Sequence, residues 1–86
     1  MNQNEEIQRQ IRDEILPDLR RDLANNIDLV GGYRARREAI AQFLGAPTPG
    51  HIVVSALDGL IENGDTWTQI LSNMIEQAEN LVGESE

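Results

Sequence analysis

The chain has 86 residues, a formal charge of −8, 40% hydrophobic content and no cysteine, which makes one small domain with no disulfide and no thiolate metal site. Its aromatic residues are Tyr33, Phe43 and Trp67, so aliphatic side chains and alanine must fill the interior, and that favours helices over a β-sandwich. The polar, acidic start Met1–Glu6 is unlike a secretory signal and no apolar run reaches the ~18 residues of a membrane span, so a cytoplasmic location without membrane contact is the expectation.

Along the chain, Ile7, Ile11, Ile15, Leu19, Leu23 and Ile27 recur every four residues, with Asn4 as a candidate cap. On a straight α-helix each such step drifts by ~40°, so the line must be interrupted. Pro17 is the candidate, either as a kink or as the first residue of a new helix, which leaves residues 1–16 as an arm or a kinked segment. Gly31–Gly32 is expected to end this helix, and Ala35, Ala39, Ile40, Phe43 and Leu44 mark another over 33–44 that stops at Gly45.

A turn at Ala46–Gly50 follows. Thr48 then reads as an N-cap, and Ile52, Val53, Ala56, Leu57, Leu60 and Ile61 as the stripe of the next helix. Trp67, Ile70, Leu71, Met74, Ile75, Ala78, Leu81 and Val82 form the longest stripe, with Asp65 expected as its cap and Gly83 as its stop. Asn63–Gly64 between the two stripes predicts a tight turn, hence an antiparallel helical hairpin over 48–82 with a core anchored by helix 66–82 and Trp67 at one end. Residues 83–86 are expected to fray. The expected fold is all-α: one domain over 1–86, a small bundle of four to five short helices.

Charge is unevenly spread. The seven basic residues are all arginines and balance the acids within residues 1–37, so residues 38–86 carry the whole −8. That half repels DNA phosphate and lipid headgroups and attracts basic protein surfaces.

Chemistry is sparse. His51 is the single histidine and has no nucleophile or carboxylate partner at catalytic spacing, so a surface or capping role near a helix start is expected of it. Asp58 and Glu62 share a helix face but lack a third ligand, and Gly31–Gly32 has no phosphate-loop spacing. No catalytic residue, metal site or cofactor is expected, and the protein reads as a non-enzyme.

Tyr33–Arg34–Ala35–Arg36–Arg37 is the one cluster suited to recognition, since guanidinium binds phosphate and carboxylate bidentately. The alternative is that Arg34, Arg36 and Arg37 pair with acids of the carboxyl-terminal helices. An acidic face of Asp58, Glu62, Glu76 and Glu79 is the other candidate, suited to a basic partner.

Arg37–Ile52 loosely resembles the helix-turn-helix of DNA-binding repressors: Ile40 and Leu44 flank the turn, Gly45 opens it, and a capped second helix follows. The resemblance implies a regulator contacting DNA through Arg34, Arg36 and Arg37. The second helix nevertheless offers Thr48, His51, Ser55 and Asp58 outward and no base-reading Arg, Lys, Gln or Asn, so charge disfavours DNA. The favoured expectation is a small acidic interaction or regulatory protein that binds another macromolecule, a protein above all, through exposed helix faces, with a homodimer in view. An acidic inhibitor occupying a basic site is the third reading.

Overall fold

The computed structural model describes residues 3–45 and 51–83. Helix α1 (Gln3–Gln10) passes through a π turn at Ile11–Ile15 into α2 (Leu16–Leu44), and α3 (Ile52–Val82) returns antiparallel beside it. The result is a rod of 64 × 21 × 15 Å. The all-α expectation holds, but the bundle of four to five short helices does not: two long helices pair along their lengths.

A heptad pattern explains the pairing. In α2 the residues turned from solvent include Leu16, Leu19, Leu23, Asn26, Val30, Tyr33, Arg37 and Ile40; in α3 they include Val54, Leu57, Ile61, Gly64, Thr68, Leu71, Ile75, Ala78 and Val82. Both series alternate steps of three and four, the a and d positions of a two-helix seam. Full burial is confined, among the described residues, to Leu16, Val30, Val54 and Ile75. The core is therefore a single line of contacts between two helices.

The seam overrides the local breakers. Asn63–Gly64 makes no turn, and the hairpin expected over 48–82 is instead the continuous α3. Gly64 occupies a d position and lets Val30 approach closely, while Asp65 lies within the helix rather than capping it. Gly31–Gly32 likewise stays inside α2. Each glycine costs about 1 kcal/mol in a helix, but Val30 and Tyr33 on either side hold the backbone in the seam, and tertiary contact rather than propensity decides helicity. Trp67 is half exposed, not a core residue.

Pro17 breaks nothing: it stands in the first turn of α2, and the chain remains helical from Gln3 to Leu44. The preceding π turn, in which the Leu16 N–H donates to the Ile11 carbonyl, accommodates the residue that cannot donate to Asp13. It also answers the four-residue spacing. A π turn is wider than 3.6 residues and so offsets the drift of the line, which brings Ile11 and Leu19 partly under cover before Ile27 leaves the seam.

Asn4 lies within α1 and is not its first residue. The ends at Gly45 and Gly83 are as expected, both with positive φ, 85° and 73°. His51 caps α3, its Nδ1 accepting from the Val53 N–H at 3.2 Å. The expected Thr48 cap, the turn at 46–50 and the fraying of 84–86 lie outside the described residues.

Candidate functional site

Reversing one helix of a heptad pair sets e positions against e positions along one edge and g against g along the other. The two edges of this rod differ in kind. On the e edge Arg20 donates to Glu79 at 2.9 Å, and Arg34 donates to Asp65 Oδ1 and Oδ2 at 2.7 and 2.6 Å. Arg37, at an a position beside it, donates to Asp58. Ion pairs thus close this edge, and they carry the antiparallel register in their numbering.

The g edge is apolar along α3 and alternates apolar with charged residues along α2. In α3 its positions are Val53, Leu60, Trp67, Met74 and Leu81, and in α2 they are Ile15, Asp22, Leu29, Arg36 and Phe43. Ile70 and Ala56, at c positions, widen the strip. Trp67 is 50%, Leu81 64% and Phe43 89% exposed, so these side chains cover one another little. Three shallow hollows run along the edge: one between Ile15 and Leu81, one between Leu29 and Trp67, and one between Arg36 and Leu60. The strip leaves large apolar side chains of both helices exposed to solvent.

The arginine cluster is dispersed. Arg34 and Arg37 turn to Asp65 and Asp58 on the e edge, while Arg36 lies over the Tyr33 ring on the opposite edge, 5.8 Å from its centroid. Two of the three thus meet acids of the carboxyl-terminal helix, and the third lies on the other edge. Among the described residues, α2 and α3 run antiparallel far beyond the segment 37–52. The proposed acidic face also divides: Asp58 and Glu79 close the e edge, whereas Glu62 and Glu76 stand exposed on the outer side of α3.

At α1 the hydrogen bond from Arg9 to Glu6, 2.7 Å long, with their charge attraction, holds the Glu6 carboxyl below its ordinary range and raises Arg9. Among the described residues no three His, Cys, Asp or Glu side chains converge on a metal position, and no helix is long and apolar enough to cross a membrane.

The seven-residue spacing of Val53, Leu60, Trp67, Met74 and Leu81 was present in the sequence. It was hidden by the expected turn at Asn63–Gly64, which assigned those residues to two helices of independent phase. No family model, characterised protein or solved structure matches this chain.

Proposed function

We propose that this protein is a non-enzymatic interaction module that binds another protein chain through the g edge of its helical hairpin. The observation that carries the reading is the unbroken apolar series Val53, Leu60, Trp67, Met74 and Leu81, opposite an edge closed by ion pairs. An apolar g row on α3, with Ile15, Leu29 and Phe43 at alternate g positions of α2, offers further helices area to bury, and an amphipathic helix laid into such a groove is a recurrent mode of recognition. The DNA-binding reading draws less support, because Arg34 and Arg37 already have carboxylate partners.

A photo-crosslinking amino acid at Leu60, compared with one at Glu76 on the outer face, tests the reading in the native host. Protein adducts from Leu60 and not from Glu76 support it. Equal yields from the two positions, or no protein adduct from Leu60, overturn it.

A further inference from the structure

We propose that the chain covering the g edge is a second copy of this one, docked through a two-fold axis perpendicular to the helices at the level of Leu29 and Trp67. The inference rests on the interaction reading above and names its partner.

The pattern of the edge is self-complementary. In α2 the g positions read Ile15, Asp22, Leu29, Arg36, Phe43: apolar, acidic, apolar, basic, apolar. Rotation about Leu29 brings Asp22 of one copy against Arg36 of the other, twice, and brings Ile15 against Phe43. In α3 the same rotation about Trp67 pairs Val53 with Leu81 and Leu60 with Met74, all apolar. The two centres are not independent of the fold, because Leu29 and Trp67 line one hollow and so stand at one level of the rod. A single axis serves both helices, and the product is a four-helix bundle with antiparallel neighbours throughout.

Charge chooses this arrangement over its competitor. With the axis parallel to the helices, α2 lies over the partner's α3, and Asp22 and Arg36 face a row without a charge. Asp22 and Arg36 have no ion-pair partner within the chain among the described residues, and Arg36 is held toward the edge by Tyr33. Like-charge or unpaired juxtapositions at an interface are penalised, and complementary ones fix register.

As a two-helix rod, the chain as a whole exposes more surface than a compact monomer of its mass. The chain exposes 6186 Å², about 1,100 Å² more than the roughly 5,100 Å² of a compact monomer of 9.6 kDa. A stable interface takes roughly 800 Å² from each partner.

Sedimentation equilibrium of the full chain tests the proposal, with twice the 9.6 kDa mass expected. Asp22→Arg alone, or Arg36→Asp alone, is expected to weaken self-association on the order of 100-fold, since each sets like charges together twice. An equimolar mixture of the two variants restores both pairs as a heterodimer, so association recovers even where each variant alone unfolds. A native chain that is monomeric at every concentration overturns the proposal, as does a mixture no tighter than its components. A monomer that still crosslinks a different protein from Leu60 overturns the second copy and leaves the interaction reading intact; the absence of any protein adduct from Leu60 removes both.

Discussion

The Cγ2 methyl of Val30 occupies the space that a β-carbon on residue 64 would require, so the seam closes there only because residue 64 is glycine. Gly64→Ala gains about 1 kcal/mol of helix propensity but meets a β-branched side chain with little rotamer freedom, and overpacking of that kind costs about 1–3 kcal/mol. We expect a net loss, read as a lower urea midpoint. Val30→Ala should cost less in the Gly64→Ala background than in the native chain, and additivity of the two changes would refute the contact. Gly59→Ala, with open space at its β-carbon, should instead stabilise by up to ~1 kcal/mol.

That contact also explains which part of the fold was legible. Helix stripes at Ile52–Ile61 and Trp67–Val82 follow from spacing alone, and so do the stops at Gly45 and Gly83, because a left-handed C-terminal residue is a local property of the backbone. Gly64 and Gly31–Gly32 carry the same local signal and are helical, because their surroundings lie 30 or more residues away in sequence. The phase of the two α3 stripes was the readable clue: Leu57, Ile61, Gly64, Thr68 and Leu71 continue one three-and-four series, which a turn at Asn63–Gly64 would have had no reason to preserve. The apolar edge followed from that same continuity, whereas the pairing of Arg34 with Asp65 and Arg37 with Asp58 needed the antiparallel register.

Asn26 places a polar group in the middle of the seam. Its Nδ2 donates to the Gly64 carbonyl at 2.9 Å and to Thr68 Oγ1 at 2.8 Å, and Thr68 in turn donates to Gly64 at 3.0 Å. A polar seam residue of this sort lowers stability and fixes register. Asn26→Leu should therefore leave the unfolding midpoint unchanged or raised, while the amide NMR spectrum gains a second set of peaks from shifted pairings. A single set of peaks at unchanged stability would show that Val30 and Gly64 hold the register alone.

The ion pairs of the e edge should contribute little to stability. Arg34 and Asp65 are each 55% exposed, and such pairs measure about 0.2–1 kcal/mol. Arg34→Ala should lower stability within that range at low salt and by nothing measurable at molar salt, where screening acts within a few ångströms. A loss that persists at high salt would mean that the arginine stem, which lines a hollow together with Ile27 and Val30, matters more than its charge.

His51 offers a test of how α3 begins. Its imidazole Nδ1 satisfies the Val53 N–H, one of the donors that a helix start leaves without an intrahelical partner. Imidazole is a bulky substitute for the short oxygen-bearing side chains favoured at this position. His51→Asp supplies both a better acceptor and a negative charge at the positive end of the helix dipole, and should stabilise by about 0.5–1 kcal/mol. His51→Ala removes the acceptor and should cost about the same. The two variants must move the thermal midpoint in opposite directions. If Asp destabilises as Ala does, the imidazole contributes through packing at the start of the apolar edge beside Ile52 and Val53, and the hydrogen bond is secondary.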